Sequence, residues 1–206
     1  MDNIFQEEAV ISGEVFESKE FGQTRFLSVE FYDCSFIGCS FTEAVFQDCR
    51  FANCSFQKCD LSLAQMEGSS LSDVQFEESR IIGVDWTRAD WKGVRLGKPP
   101  HFTGCDLSHS TFIGLNLVEL KIKDCKAANV DFREANLEKA DFAGTDLSES
   151  VFVHTNLREA DLSEAKNYQI APGENDLSGA RFSLPEAMSL LYNLDVVLVE
   201  REQQAE

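Results

Sequence analysis

The amino-acid sequence predicts a solenoid, one short backbone unit repeated along almost the whole chain. Three observations carry that expectation. Phenylalanine stands at every fifth residue from Phe16 to Phe56, through Phe21, Phe26, Phe31, Phe36, Phe41, Phe46 and Phe51. A second column of small residues lies two positions before these centres, including Cys34, Cys39, Ala44, Cys49, Cys54 and Cys59. The other three positions of each five are mostly Asp, Glu, Asn, Ser, Lys, Arg or Gly. Neither the 3.6-residue helical period nor the two-residue strand period puts such a repeat on one face. The period belongs to a larger unit whose copies stack.

Residues 1–10 are expected to form an N-terminal cap. Ile11 opens the series of centres, which after Phe56 continues with Leu61, Met66, Leu71, Phe76, Ile81, Trp86, Trp91 and Leu96. At 97–101 the phase slips by one residue. This reads as a single bulged residue, too short to make a protruding loop with Lys98-Pro99-Pro100. The series resumes at Phe102 and runs through Leu107, Phe112, Leu117, Ile122, Phe132, Leu137, Phe142, Phe152 and Leu162. Ser163–Asn175 interrupts it and contains a Tyr168 that reads as exposed. Leu177 and Phe182 return in phase. Of the 17 phenylalanines, only Phe5 lies off this grid.

Residues 183–206 follow another pattern. Ser183 is placed to cap a helix with Glu186 three residues on, and Pro185 falls in the first turn. Ala187, Met188, Leu190, Leu191 and Leu194 keep helical spacing, and Val196–Val199 reads as a short strand. This segment would cover the last coil. It also carries more apolar surface than a cap requires, so Met188, Leu191, Leu194, Val197, Leu198 and Val199 are the expected interface of a homodimer.

Cys34-Ser35-Phe36, Ala135-Asn136-Leu137, Ala140-Asp141-Phe142 and Ala160-Asp161-Leu162 resemble the A(D/N)LXX motif of the pentapeptide-repeat family. The resemblance covers roughly residues 11–182. It implies an all-β chain, a right-handed quadrilateral parallel β-helix in which four pentapeptides make one square coil. About eight and a half coils, at about 4.8 Å each, give a rod roughly 40 Å long. Members of the quinolone-resistance (Qnr-type) and microcin-immunity groups are acidic, dimeric rods that bind DNA gyrase or topoisomerase IV. The tail is similar to the segment through which Qnr-type members dimerise. Other members are effectors or developmental regulators.

No apolar run approaches membrane length, and Met1-Asp2-Asn3 lacks a signal-like start, so a cytoplasmic protein is expected. The net charge of −18 opposes direct binding to nucleic acid or an anionic membrane and suits a basic partner. All seven cysteines fall in the small inward column, where free cysteine acts as a compact hydrophobe. No metal, cofactor or disulfide is expected. His101, His109 and His154 are scattered, and Ser55-Phe56-Gln57-Lys58 matches a catalytic S-x-x-K string without its companion motifs. Nothing in the chain points to an enzyme.

Counting the slip as one residue sorts the outward positions into four faces. The face around Phe16 and Phe36 comes out nearly neutral, and those around Phe21, Phe26 and Phe31 acidic. The candidate partner contacts are Asp60, Asp141 and Asp161 on the second face, Asp85, Asp106 and Asp146 on the third, and Asp90 and Asp131 on the fourth. The expected function is imitation of DNA charge toward a type II topoisomerase. The alternative is a scaffold or regulator whose partner is unrelated to DNA.

Overall fold

The computed structural model describes residues 7–91 and 98–192, together with Leu194, Val196 and Val199. The fold is a parallel β-solenoid of about eight turns with a short C-terminal helix. Its strands are very short. The first ten are β1 (Val10–Ser12), β2 (Val15–Glu17), β3 (Arg25–Leu27), β4 (Glu30–Tyr32), β5 (Ser35–Ile37), β6 (Val45–Gln47), β7 (Arg50–Ala52), β8 (Ser55–Gln57), β9 (Ser70–Ser72) and β10 (Gln75–Glu77). Then come β11 (His101–Thr103), β12 (Lys121–Lys123), β13 (Asp161–Leu162) and β14 (Arg181–Phe182). Each pairs in parallel with the strand one coil away, giving stacks such as β2-β5-β8-β10-β11-β12. Coil-type pairing is already present at Glu8, whose N–H donates to Leu27 O at 3.2 Å.

Two inward columns build the core. On the first face Phe16 pairs with Phe36, Phe36 with Phe56, and Phe56 with Phe76. Phe36 and Phe56 stack at 4.7 Å and 14°, while Phe31 and Phe36 on adjoining faces meet edge-on at 5.5 Å and 75°. Phe36 therefore lies face-to-face along the rod and edge-to-face around it, both preferred aromatic geometries, and most rings of the N-terminal half repeat this. Burial of each ring contributes about 2 kcal/mol or more. Beyond Phe76 leucines and aromatic rings share the large column, and Ala, Ser, Thr, Val and Cys share the smaller one.

The small column also carries hydrogen bonds between coils. Ser69 Oγ accepts the Cys49 N–H at 2.9 Å and donates to Phe46 O at 2.9 Å. Ser79, Ser110, Thr145 and Ser150 repeat this double contact. The cysteine thiols donate to the same type of carbonyl, as from Cys54 to Phe31 O at 3.4 Å. A buried hydroxyl is thus satisfied twice, which is why serine and threonine share the column with cysteine and alanine.

The corners impose a third constraint. The residue two after nearly every centre has positive φ, as in Asp33 (53°), Glu43 (57°), Asp48 (53°) and Glu119 (64°). At Gly68 (φ 63°) a Cβ would fall against Asp48 Oδ1, the tip of an exposed side chain that would have to turn aside. Gly114 (φ 67°) has nothing within 4 Å of that point.

The interruption at 97–101 is larger than a single bulge. Phe76 pairs with Phe102 and Asp85 with Thr111, a separation of 26 residues against 20 elsewhere. Asp90 N–H still reaches Ser69 O, and pairing returns where Asp73 N–H meets Lys98 O. Six residues are inserted between those points. Every face assigned beyond the insertion therefore moves by one. The segment 163–175 keeps the coil register, with Asn156 paired to Asp176. Tyr168 is buried there, not exposed, with Ile170 beside it in the core. Asn175 takes over the hydroxyl role, accepting from Thr155 N–H and donating to Phe152 O at 3.0 Å each.

At the C-terminus a 3₁₀ turn, Glu186–Met188, leads into α1 (Ser189–Tyr192). Ser183 does not cap it through its side chain, because its Oγ accepts the Glu164 N–H instead. Val196 and Val199 lie in no regular element, and the rest of the expected strand falls outside the described residues.

Two outcomes follow. Phe36→Ala or Phe56→Ala should lower the unfolding free energy by about 3–5 kcal/mol in urea titrations. Gly68→Ala and Gly114→Ala should each cost the roughly 1–2 kcal/mol of left-handed strain in urea titrations, with Asp48 turning aside at Gly68, and a much larger loss for Gly68→Ala would show that Asp48 is held in place.

Candidate interaction surface

Most of the candidate aspartates stand directly before an inward centre, and there the carboxylate has a local task. Asp60 Oδ1 accepts the Ser62 N–H at 2.9 Å, Asp85 that of Thr87 at 3.0 Å, and Asp106 that of Ser108 at 3.0 Å. Asp131, Asp141, Asp146 and Asp161 accept from Arg133, Ala143, Ser148 and Ser163 in the same way. Asn136 and Asn156 do so with Glu138 and Arg158. This side-chain turn explains the Asp or Asn of the motif without reference to a partner. Asp90 is exposed, and its backbone N–H joins the coil below.

Many of these carboxylates also meet a base. Down the second face the positions before the centres read Asp60, Arg80, Asp106, Lys126, Asp146, Lys166, each bridged to the next coil. Arg80 lies 3.9 Å from Asp60 and Lys126 3.8 Å from Asp106. Elsewhere Lys123 approaches Asp141 at 3.4 Å, Arg133 meets Asp131 at 2.6 Å, and Arg181 pairs with Asp161. Exposed pairs of this kind contribute about 0–1 kcal/mol each. Their larger effect here is to cancel charge at the positions expected to present it.

The six-residue insertion changes which candidates share a face. Asp141 and Asp161 lie on the first face, in line with His101 and Lys121, not on the second. Asp106 and Asp146 join Asp60 on the second, and Asp131 joins Asp85 on the third. The first face then holds Glu17, Glu77, Glu78, Asp124, Asp141, Asp161 and Glu164 against Lys58, Lys121, Lys123 and Arg181, so it is not neutral. All four faces are acidic to a similar degree.

At the C-terminal end Met188 is 42% exposed, Leu191 37%, Leu194 46% and Val199 85%, with Leu184 and Tyr192 more exposed still than the first three. Val197 and Leu198, also expected at a dimer interface, lie outside the described residues. All seven cysteines are free and buried, and burial pushes the Cys54 and Cys59 thiols up to about 11. All seven pack in the core as compact hydrophobes. Among the described residues no group of His, Cys, Asp or Glu is placed to hold a metal, and no helix is long and apolar enough to cross a membrane.

Burial raises the Asp161 pKa, but bonds from the Ser163 side chain and backbone, with the charges of Arg181 and Lys123, outweigh it and hold the carboxyl below its usual range. Asp131 and Asp146 are depressed likewise, by Arg133 in one case and by Ser148, Asn167 and Lys126 in the other. A depressed folded-state pKa stabilises above the unfolded value of about 3.9 and loses that contribution as pH falls through the folded value. The urea midpoint should therefore drop below about pH 4. Asp161→Asn, which keeps the turn acceptor and removes the charge, should show a smaller drop between pH 7 and pH 3 than the parent.

The pentapeptide repeat region family matches this chain over residues 29–99 and 98–167. Comparison with curated protein sequences returned no match. Among solved structures, a trypsin-treated variant of QnrB1, a plasmid-mediated fluoroquinolone resistance protein, is 22% identical over 97% of this chain and 96% of its own, with a TM-score of 0.49. HetL, a pentapeptide repeat protein involved in heterocyst differentiation regulation from the cyanobacterium Nostoc, is 17% identical over 84% and 85%, with a TM-score of 0.51. Rfr23 from the cyanobacterium Cyanothece 51142 is 14% identical over 86% of each chain, with a TM-score of 0.21. The likeness to HetL is one of fold alone. The coil register, the two inward columns and the family match agree that this chain belongs to the pentapeptide-repeat family.

Proposed function

We propose that the protein is a non-enzymatic binding module whose acidic rod engages a basic, DNA-binding surface of another protein. The observation that carries this reading is a formal net charge of −18 for the chain, with acids in excess on all four sides of the solenoid. A surface of that sign disfavours nucleic acid and favours the clefts that nucleic acid otherwise fills. The resemblance to acidic family members that bind type II topoisomerases makes DNA gyrase the first partner to test. Competition with a bound DNA segment is then the mechanism, and the cytoplasm its setting. Asp60, Asp85, Asp90, Asp106, Asp131, Asp141, Asp146 and Asp161 belong to this surface, but those that close local turns or meet a base contribute less than the Glu and Asp of the corners.

The exposed Leu184, Met188, Leu191, Tyr192, Leu194 and Val199 support self-association at the C-terminal end. On this reading the active form is a homodimer. The second reading, a scaffold with a partner unrelated to DNA, is favoured by the ion-paired second-face column, which resembles a neutralised support more than a phosphate mimic.

Titration of the protein into a gyrase supercoiling assay, with and without ciprofloxacin, separates the two. Supercoiling and drug-induced cleavage should both fall at micromolar protein, and no change in either sinks the topoisomerase reading. Sedimentation velocity should give a dimer for the parent and a monomer for Met188→Glu with Leu191→Glu.

A further inference from the structure

Charge is segregated along the rod, not around it. Residues 1–79 hold fifteen acids against four bases, Lys19, Arg25, Arg50 and Lys58. Residues 80–182 hold sixteen acids against thirteen bases. The two stretches are built from the same repeat, so the difference lies in what occupies the outward positions.

The neighbours of the acids differ in kind as well. In the N-terminal half cations reach Glu78 (Lys58), Asp60 (Arg80) and Glu67 (Arg88), two of the three bases coming from beyond residue 79, while a neutral amide reaches four other acids. Gln23 Nε2 donates to Glu43 at 2.9 Å, Asn53 Nδ2 to Asp33 at 3.2 Å, and Gln57 Nε2 to Glu77 at 3.2 Å, each across one coil. Gln47 donates to Asp48 at 3.4 Å. In the C-terminal half cations mostly take that place, as in Lys126 with Asp106, Arg158 with Asp176 and Lys139 with Glu159, and an amide, that of Asn167, reaches Asp146. An amide orients a carboxylate and leaves its charge in place, whereas a cation orients and cancels it. Asp33, Glu43, Asp48 and Glu77 are all exposed.

From this we infer that the sheet faces and corners formed by residues 7–79 are the docking surface, and that their occupant is a lysine- and arginine-rich protein surface of the kind that holds a nucleic-acid backbone. The nearly balanced C-terminal half is the stem that carries the apolar end. A second copy does not fit the N-terminal half, since two surfaces of this charge repel. The inference rests on the proposed function for the sign and chemistry of the partner, and adds the part of the rod that meets it.

The test uses two full-length variants with equal charge removed. One carries Asp33→Asn, Glu43→Gln, Asp48→Asn and Glu77→Gln, the other Glu119→Gln, Glu134→Gln, Glu149→Gln and Glu164→Gln. Circular dichroism melts first confirm that each is folded. In displacement of a fluorescent DNA duplex from gyrase, the N-terminal variant should weaken by about tenfold or more and the C-terminal one by less than about twofold. Equal losses, or a larger loss for the C-terminal variant, overturn the inference. If the parent displaces no duplex, the topoisomerase reading fails on its own. The end preference is then read from carbodiimide coupling of the parent to an oligolysine peptide, mapped by mass spectrometry. Conjugates concentrated in residues 7–79 support it, and an even spread along the rod overturns it.

Discussion

The structure depends on one constraint, the vertical stacking of like on like every twenty residues. A ring such as Phe36 lies flat on Phe56 only if the coil between them has a fixed length and closes at the same corner. That length is held by four short sides, each with a large and a small inward residue, and by corners that force positive φ. With the inward columns stacked, the outward ones stack too, because both hang from the same backbone ladder. Surface chemistry in this protein is therefore written in columns. A residue's neighbours are the ones twenty before and twenty after it, more than those beside it in the chain.

That geometry explains what was legible in the sequence. A five-residue period reveals phase, so the core could be read almost completely, from Phe21 through the cysteines to Leu162. Face identity requires position within twenty, and phase does not supply it. A coil of 26 residues and a slip of a single residue look identical on a five-residue grid, and Leu96 falls in phase before the break. The insertion consequently passed as a bulge, and the candidates from Asp106 onward were placed one face away. Tyr168 is buried against expectation for a related reason. Across 163–175 the small column stays in phase at Ala165, Ile170 and Asn175, while the large-residue positions hold Asn167 and Pro172 and Tyr168 fills the core one place off the grid.

The aspartates show a second limit. Position in the repeat separates outward from inward but says nothing of what an outward carboxylate is bonded to. Asp60, Asp106, Asp141 and Asp161 look equivalent to the corner acids in sequence, yet their Oδ1 atoms close turns onto the N–H two residues ahead. Recurrence of Asn at the same position, in Asn136 and Asn156, was the available clue. A site that accepts either Asp or Asn needs an oxygen acceptor and not a charge.

Stacking also limits how an acidic rod can be built. Two carboxylates directly above one another, about 5 Å apart, repel by roughly 0.8 kcal/mol even at the dielectric constant of water. A continuous acidic column would accumulate that cost at every coil. The N-terminal half avoids it by interposing neutral residues. Asn53 stands between Asp33 and Asp73, while Gln23 and Gln57 stand beside Glu43 and Glu77 in their columns. Like charges in the Asp33 column are then about two coil spacings, roughly 10 Å, apart, close to the Debye length at 0.1 M salt. The C-terminal half meets the same difficulty with bases and so loses its net charge. Where two aspartates do stack, Asp141 on Asp161, Lys123 and Arg181 flank them. Amide interleaving keeps a surface negative while relieving its self-repulsion, and cation interleaving relieves the repulsion by removing the charge. The first solution leaves a charge for a partner to use, and the two solutions occupy different ends of one rod.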